Sequence, residues 1–398
     1  MTKFSDLPLD PEILKALEKI NYETATPVQA TTMPHILEGK DIIALAQTGS
    51  GKTAACSIPI CHKVDVSKPV IQALVIVPTR ELATQYATEV HRVGGIKGVK
   101  TFAIMGGEDA SIQRAKLNSG VHVLVATPGR LIDFIYSRDI ELDQVETVIL
   151  DEADEMLSMG FYDDLDFIIQ CLIHEHQTLL FSATMPKEIS KIAKQHMKDP
   201  EELVLQRKEP SPDQIDHRFL YCTHHQRTID LSDKIHELKP KQAIIFCHSR
   251  IQVEQVAKDL KAKIKGVDYL HAGMNQSVRT IVTNKFRQGK IRLLVATDVV
   301  SRGLDFSGVT HVFIYQLSDD PYVYIHRAGR TGRYDKKGMV ITLVTKRELH
   351  SLNKVLKLLK QEPKWIGEAP SENETKKGPS KRPPRRRGPS KKGPPKKS

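Results

Sequence analysis

The sequence predicts an α/β protein built from two tandem parallel-sheet domains, followed by a disordered basic tail. Three observations support this prediction. Short apolar runs alternate with amphipathic stretches through most of the 398 residues, which is typical of parallel sheets with helical crossovers. Two segments of the first half recur in the second half at a single offset. The end of the chain is rich in lysine, arginine, proline and glycine, a composition that cannot bury a core.

The predicted strands fall into two sets. The first set is DIIALA (41–46), ALVIVP (73–78), HVLVAT (122–127), TVILD (147–151) and TLLFSAT (178–184). The second set is QAIIFC (242–247), VDYLHA (267–272), RLLVATD (292–298), HVFIYQL (311–317) and GMVITLVT (338–345). Continuous apolar strands with room for a helix between neighbours predict sheets that are covered by helices on both faces.

An internal repeat relates the two sets. LVAT occurs at 124–127 and again at 294–297, and ALVIVPTR at 73–80 aligns with AIIFCHSR at 243–250, both at an offset of 170 residues. We therefore infer two copies of one α/β domain. The predicted parts of the chain are a first domain at 1–207, a linker at 208–217, a second domain at 218–367 and the tail at 368–398. The two prolines in QRKEPSPDQIDH suit a linker.

Charge and composition exclude several classes of protein. The net charge of +11 belongs to the tail, because residues 376–398 contain eleven lysines and arginines and no acid. No apolar run approaches the ~18 residues that span a bilayer, and MTKFSDLPLD has acids where a signal peptide needs an apolar stretch. We therefore expect a cytoplasmic protein without a membrane segment. The five cysteines form no CxxC pair, and we expect Cys171 and Cys247 to pack in a reducing compartment.

A predicted strand runs straight into a cluster of acids in TVILDEADEM (147–156). A solvated loop or a helix start would tolerate such a cluster. A bound divalent cation explains the crowding better, because its positive charge offsets the repulsion among the acids. Asp151 closes the strand and is the predicted Mg²⁺ ligand. Glu152 is expected to orient or deprotonate an attacking water. Asp154 is expected to contact the SAT segment (182–184), and Glu155 to be solvated surface.

A phosphate-binding turn is predicted in DIIALAQTGSGKTAA (41–55), where a strand, a glycine-bearing turn and a helix follow one another. Gly49 and Gly51 let backbone N–H groups point at phosphate oxygens. Lys52 would reach the terminal phosphates of ATP, and Thr53 would bind Mg²⁺. The usual pattern begins with glycine, where this chain has Ala46.

The second domain has no such turn. Adding 170 to residues 46–53 gives DHRFLYCT, which cannot cradle phosphate. The second domain instead carries YIHRAGRTGR (324–333), with arginines at 327, 330 and 333. An arginine supplied across a domain cleft can stabilise charge that develops on the γ-phosphate. The lone turn and these arginines predict ATP bound between the two domains.

These motifs together resemble those of the DEAD-box family of ATP-dependent RNA helicases over residues 4 to about 365. The first domain has AQTGSGKT, PTREL (78–82), GG (106–107), TPGR (127–130), DEAD (151–154) and SAT (182–184). The second has IIFCHSR, HAGMNQSVR, ATDVVSRGLD and HRAGRTGR. The resemblance implies two RecA-like domains and an RNA-stimulated ATPase that uses ATP and Mg²⁺ and binds RNA largely without regard to sequence.

The resemblance also implies which residues bind the nucleotide. NYETATPVQ (21–29) resembles the family's Q motif, although Asn21 and Ala25 depart from its pattern. Tyr22 would stack on adenine and Gln29 would hydrogen-bond its edge. The implied ATP-binding residues are Phe4, Tyr22, Gln29, Ala46, Gln47, Thr48, Gly49, Ser50, Gly51, Lys52, Thr53, Gly303 and Asp305. The implied catalytic residues are Lys52, Asp151, Glu152, Arg330 and Arg333.

The resemblance further implies an RNA surface on both domains. Its residues are Pro78, Thr79, Arg80, Gly106, Gly107, Thr127, Gly129, Arg130, Ser249, Arg250, Gln276, Arg279, Thr297 and Asp298. Such small residues, exposed amides and arginines suit phosphate and 2′-OH recognition. An alternative for Thr127 and Thr297 is that they only cap the following turns. The implied coupling residues are Asp154, Ser182, Thr184 and His326.

Two alternatives to an RNA helicase stay open at this point. One is a DNA helicase or translocase of the same superfamily, and the other is an ATP-gated RNA clamp that hydrolyses slowly. The tail at 376–398 is expected to tether RNA, with a role in solubility as the alternative. We expect a monomer that acts on RNA, with ribonucleoprotein complexes as possible partners.

Overall fold

The structure, a computed structural model, describes residues 2–46, 49–205, 215–298, 308–332 and 337–371. The strands of the first domain are β1 (Ile42–Leu45), β2 (Ala73–Ile76), β3 (Thr101–Ile104), β4 (Val123–Ala126), β5 (Thr147–Leu150), β6 (Gln177–Ser182) and β7 (Glu201–Val204). Its helices are α1 (Pro11–Lys19), α2 (Pro27–Leu37), α3 (Lys52–Lys63), α4 (Arg80–Gly94), α5 (Ala110–Leu117), α6 (Pro128–Tyr136), α7 (Ala153–Ser158), α8 (Tyr162–Gln170) and α9 (Lys187–His196).

The second domain repeats this plan. Its strands are β8 (Ile215–Tyr221), β9 (Ala243–Phe246), β10 (Val267–Leu270), β11 (Leu293–Ala296), β12 (His311–Ile314), β13 (Gly338–Val344) and β14 (Lys364–Trp365). Its helices are α10 (Arg227–Leu238), α11 (Arg250–Lys261), α12 (Gln276–Arg287), α13 (Pro321–Ala328) and α14 (Leu349–Leu359). Short 3₁₀ helices lie at Phe4–Asp6 and Lys346–Glu348.

The order of the strands confirms the predicted tandem repeat. Within the described residues each domain has a parallel sheet of seven strands, ordered β3-β4-β2-β5-β6-β1-β7 and β10-β11-β9-β12-β13-β8-β14. Matched place by place, β2 corresponds to β9 and β4 to β11, which are the strands of the two repeated segments. The two domains are therefore two copies of one α/β fold.

The same alignment corrects the predicted counterpart of the phosphate-binding turn. That turn follows β1, and β1 corresponds in the sheet to β8 at Ile215–Tyr221. The counterpart is thus the segment CTHHQ at 222–226, whereas the predicted 216–223 lies mostly within β8. The conclusion that the second copy lacks a glycine-rich turn is unchanged. Residues 215–217, which we assigned to the linker, are part of β8.

The strands that the sequence did not reveal are β3, β7, β8 and β14. Three of them, β3, β7 and β14, lie at the edges of their sheets. An edge strand has one open side and need not be apolar throughout, as the alternating burial of β7 shows. The predicted strands other than β10 are central in their sheets, and β2, β4 and β5 are buried along their whole length. A continuous apolar run therefore signals position in the sheet as much as strand structure.

The core of each domain is separate. The apolar side chains buried in the described parts of the chain form four clusters, two on the faces of the first sheet and two on those of the second. Each cluster draws its residues from one domain alone. All five cysteines are free thiols, and Cys247 is buried as expected for a packing role, whereas Cys171 is only partly buried. Among the described residues, no helix has the length and apolar character needed to cross a bilayer.

Asp41 fastens the start of β1, the strand that leads into the phosphate-binding turn. Its carboxylate accepts hydrogen bonds from the backbone N–H of Thr178 and of Lys198, each at 2.7 Å. Asp41 is buried, so these N–H groups have little access to water. The side chain therefore holds β1 against β6 and against the segment that enters β7.

Replacing Asp41 by alanine should lower the free energy of unfolding of the first domain by about 2–4 kcal/mol, because two N–H groups lose a charged acceptor. In urea, far-UV circular dichroism follows both domains. The fluorescence of Trp365, the single tryptophan, follows the second domain, where it pairs with β8. We expect the unfolding transition of the first domain, followed by circular dichroism, to move to lower urea. The fluorescence transition of the second domain should stay in place. Asp143→Ala, at an exposed site of the same domain, is the control, and an equal shift in that variant would contradict the role of Asp41.

Candidate active site

A cavity of about 1020 Å³ lies between the two domains. The first domain lines it with the turn between β1 and α3, the residues after β5, and one face of α4. The second domain contributes residues of α12 together with Arg330. The carboxyl ends of parallel strands are where α/β proteins bind their ligands, so the cavity is placed as an active site should be.

The turn after β1 has the backbone that phosphate binding requires. Gly49 and Gly51 have φ angles of 82° and 98°, in the left-handed region that favours glycine. Lys52 is the first residue of α3, and its Nζ donates to the carbonyl oxygen of Ala46 at 3.1 Å. That Nζ also lies 3.6 Å from Asp151 Oδ1. Burial opposes the charged form, but the nearby acids, Asp151 first, raise the pKa of Lys52 above its usual value.

Gln29 ties the N-terminal motif to this turn. Its Oε1 accepts from the backbone N–H of Thr26 at 2.8 Å, and its Nε2 donates to the carbonyl oxygen of Gly51 at 3.1 Å. Thr26 Oγ1 donates to the carbonyl oxygen of Ser50 at 2.9 Å. A Cβ at Gly51 would lie 2.8 Å from Gln29 Nε2, so this close approach requires glycine. TPVQ is a capping-box pattern that the sequence could have revealed.

Two side chains that the sequence analysis missed hold Tyr22 against the cavity. Its hydroxyl donates to Glu89 Oε1 at 2.9 Å, and the guanidinium of Arg92 lies 5.8 Å from its ring centre. The Phe4 ring lies nearly parallel to it at 6.3 Å. Glu89 and Arg92 lie on α4, more than sixty residues along the chain, and no short motif connects them to Tyr22.

The acids after β5 are buried in the cavity wall. Asp151 accepts from the Tyr86 hydroxyl at 3.1 Å and from the backbone N–H of Glu152 at 2.8 Å. Glu152 has a φ of 54°, a left-handed conformation that costs energy for a residue with a side chain. Burial raises the pKa of Glu152 to about 7, although Lys52 opposes this rise. Among the described residues its Oε2 has no hydrogen-bond partner, so it can accept from a ligand or a water.

Asp154 makes the contact with the SAT segment that the sequence predicted. Its Oδ2 accepts from the backbone N–H of Thr184 at 3.0 Å and from Thr184 Oγ1 at 2.8 Å. Ser182 Oγ donates to the carbonyl oxygen of Thr184 at 2.6 Å, which fixes the same turn. The end of β5 is thus joined to the end of β6.

The prediction that Glu155 is solvated surface is wrong. Its side chain is 5% exposed, and its Oε1 lies 2.6 Å from Nδ1 of His326, which α13 of the second domain supplies. Burial opposes protonation of His326, but Glu155 raises the pKa of this imidazole above its usual value. The sequence around Glu155 could not show this contact, because the partner comes from the other domain.

A second contact between the domains joins α4 to α12. Arg279 forms a buried ion pair with Glu81, and Arg80 Nη1 donates to Gln276 Oε1 at 3.3 Å. Arg80 also lies over Gly107, where a Cβ would come within 2.6 Å of the guanidinium carbon. Four predicted RNA contacts therefore meet at one place, where they bridge the domains.

The remaining predicted RNA residues differ in the hydrogen bonds that they already make within the protein. Thr79 and Ser249, at equivalent places in the two copies, accept backbone N–H bonds at the starts of α4 and α11. Within the described residues Thr127 makes no such bond to α6, so the capping alternative is wrong for it. Asp298 accepts two bonds from Arg327, at 2.6 and 2.7 Å. Arg130 donates to the carbonyl oxygen of Glu108 at 3.1 Å.

Some predicted site residues lie outside the described residues. They are Gln47, Thr48, Gly303, Asp305 and Arg333. The turn that would follow Thr297 lies there as well, so the capping alternative stays open for that residue.

The fold and the site define a two-domain nucleoside triphosphatase of the phosphate-loop class, with its site in the cleft between two RecA-like domains. The DEAD/DEAH box helicase family matches residues 26–192, and the helicase conserved C-terminal domain family matches residues 226–335. The DEAD-box ATP-dependent RNA helicase CshA of Geobacillus kaustophilus is 43% identical over 362 residues, which cover 91% of this chain and 77% of CshA. The chain belongs to the family of DEAD-box ATP-dependent RNA helicases.

Solved structures of relatives identify the arrangement of the domains. S. cerevisiae Dbp5 bound to RNA and ADP BeF3 is 27% identical and matches with a TM-score of 0.82, covering 92% of this chain and 96% of Dbp5. A Dbp5 variant bound to Nup159, Gle1, IP6 and ADP, also 27% identical, gives 0.61 while covering 90% and 95%. Because the same two domains are compared, this difference reflects their relative placement. The structure thus has a domain arrangement closer to that of the RNA-bound relative.

Removing either partner of the Glu81–Arg279 pair should weaken this arrangement of the domains by about 3–5 kcal/mol, because the remaining charge is buried unpaired where the domains meet. Glu81→Ala and Arg279→Ala should each lower energy transfer between dyes on the two domains, measured with RNA and ADP BeF3. The double variant should lose less than the sum of the two changes. Normal closure in Glu81→Ala, with a loss only in Arg279→Ala, would make Arg279 an RNA contact alone.

Proposed function

We propose that this chain binds ATP, Mg²⁺ and single-stranded RNA across the cleft between its domains, and that ATP hydrolysis drives local separation of RNA duplexes. The observation that carries the proposal is the composition of one cavity. Lys52, Asp151 and Glu152 of the first domain and Arg330 of the second all line it. A phosphate-binding turn, a metal-binding acid, a base and an arginine are the parts that phosphoryl transfer to water requires.

The residues fit a Mg²⁺ ion that is held mostly by ATP. Among the described residues, no three His, Cys, Asp or Glu side chains come together as a metal site. Mg²⁺ is commonly bound by one or two carboxylates together with substrate phosphates and waters, and Asp151 and Thr53 both line the cavity. When bound, Mg²⁺ neutralises charge that develops on the phosphates.

The protein side chains then have separate tasks. Lys52 leaves its bond to the Ala46 carbonyl and follows the terminal phosphates. Glu152 lines the cavity and has a buried acceptor oxygen without a partner among the described residues, and it orients the attacking water and accepts its proton. Arg330 stabilises negative charge from across the cleft. Three residues outside the described ranges also have proposed tasks. Arg333 contacts the γ-phosphate, and Gly303 and Asp305 contact the nucleotide.

The contacts between the domains couple ATP to RNA. Glu155 and Asp154 flank the acids of the ATP site, and they reach His326 and the SAT segment. On the other side, Arg80, Gln276 and Arg279 bridge the domains within the proposed RNA surface. Each ligand binds both domains, so each favours closure and strengthens binding of the other.

The setting of this activity is also proposed. The five free thiols support a reducing compartment such as the cytoplasm. We propose a monomer, because the cleft is completed by two domains of one chain, and ribonucleoprotein particles as its place of action. Membership of a family of RNA helicases disfavours the DNA-helicase alternative.

Replacing Glu152 by glutamine should leave ATP binding nearly intact and reduce turnover by about 10²–10⁴-fold, because the base is lost while the shape is kept. Single-turnover hydrolysis, fluorescent-nucleotide binding and strand release from an RNA duplex should be compared with those of Glu188→Gln, an exposed change on α9. RNA should dissociate more slowly from Glu152→Gln. Near-normal hydrolysis would refute the role of Glu152. Hydrolysis without strand release by the unmodified chain would favour the RNA clamp.

Deleting residues 376–398 should weaken RNA binding at low salt and spare the ATPase activity at saturating RNA. Each phosphate that the tail neutralises on single-stranded RNA adds about 0.7 to the slope of log affinity against log salt, so the slope should flatten. A chain whose eleven tail lysines and arginines are replaced by glutamine separates charge from length. Equal slopes for all three chains would leave only the solubility role.

A further inference from the structure

Tyr86 is a fully buried tyrosine beside the ATP site, and the mechanism above does not use it. It lies on α4, and its side chain is 0% exposed. Its hydroxyl is 3.1 Å from Asp151 Oδ2. A phenylalanine would fill nearly the same space. The hydroxyl therefore matters through its contact with the one acid that is proposed to hold Mg²⁺.

Chemistry fixes the direction of this hydrogen bond. An ionised carboxylate can only accept, so the Tyr86 O–H must donate to Asp151. Asp151 and Tyr86 are both buried, so water has little access to this bond.

The other oxygen of Asp151 is also held. Oδ1 accepts from the backbone N–H of Glu152 at 2.8 Å and lies 3.6 Å from Lys52 Nζ. Lys52 is the first residue of α3 and Tyr86 lies on α4, so two helices contact opposite oxygens of the carboxylate. A carboxylate offers about four lone-pair sites. The contacts from α3 and α4 fix its plane and leave acceptor sites for the cavity.

Nucleotide binding makes this support necessary. When Lys52 turns to the phosphates, Asp151 loses its nearest cation, and without Tyr86 only the backbone N–H of Glu152 would still hold its carboxylate. We propose that Tyr86 is a positioning residue that holds the Asp151 carboxylate in the orientation that binds Mg²⁺. This inference rests on the proposed role of Asp151 as the Mg²⁺ ligand.

The test uses the full chain and a fluorescent ADP analogue, whose binding is titrated with Mg²⁺ and repeated in EDTA. Tyr86→Phe should bind the analogue normally in EDTA. It should need roughly 10–100-fold more Mg²⁺ to reach half of the Mg²⁺-dependent gain in affinity, the usual effect of losing a group that orients a metal ligand. Tyr315→Phe is the matched control, because it removes a hydroxyl that bonds Thr228 at 2.8 Å in the second domain.

Two results would overturn the inference. In the first, Tyr86→Phe has the Mg²⁺ requirement of the unmodified chain. In the second, its binding weakens equally in EDTA and in Mg²⁺, which would mean that Tyr86 only shapes the cavity. Asp151→Asn separates this inference from the proposed function. If Asp151→Asn keeps the normal Mg²⁺ requirement, the role of Asp151 fails; if only Asp151→Asn changes it, the role of Tyr86 fails.

Discussion

Charge complementarity across the cleft is the interaction on which the rest of the structure depends. The first domain places buried acidic side chains beyond the carboxyl ends of its strands. The second domain supplies basic side chains that pair with them. Glu81 pairs with Arg279, and Glu155 pairs with His326. Arg330 acts on Glu152 from the same side, lowering a pKa that burial raises. The acids repel one another when the domains are apart, and closure relieves part of that repulsion.

The two copies of the fold have put the same position to different uses. α3 begins with Lys52 and α10 begins with Arg227, each after the corresponding strand of its sheet. Lys52 faces the cavity. Arg227 is also buried, but it is paired with Glu348 of its own domain and lies 5.4 Å from the Tyr315 ring centre. An internal ion pair thus occupies the place that corresponds to the proposed phosphate site of the first copy.

The sequence revealed what short spacing encodes. The turn before Lys52 is one contiguous motif, and the acids after β5 are another. The order of apolar residues, glycines and charged residues was therefore enough to predict both. Tyr86, Glu89 and Arg92 were missed, because they lie on α4 outside the contiguous motifs, and only the fold brings them close to the site. Glu155 was assigned to the surface since its own neighbours are polar, whereas its burial comes from the second domain. Edge strands such as β7 were missed because they lack a continuous apolar run.

The separation of the apolar cores has a consequence for turnover. Every apolar cluster in the described residues belongs to one domain, and the contacts between domains that we describe are ion pairs and hydrogen bonds. Each opening of the cleft therefore exposes charged side chains to water but exposes little apolar surface. The heat-capacity change of the cycle should be small, since that quantity follows apolar exposure. An enzyme built in this way can open repeatedly without offering its neighbours a surface on which to aggregate.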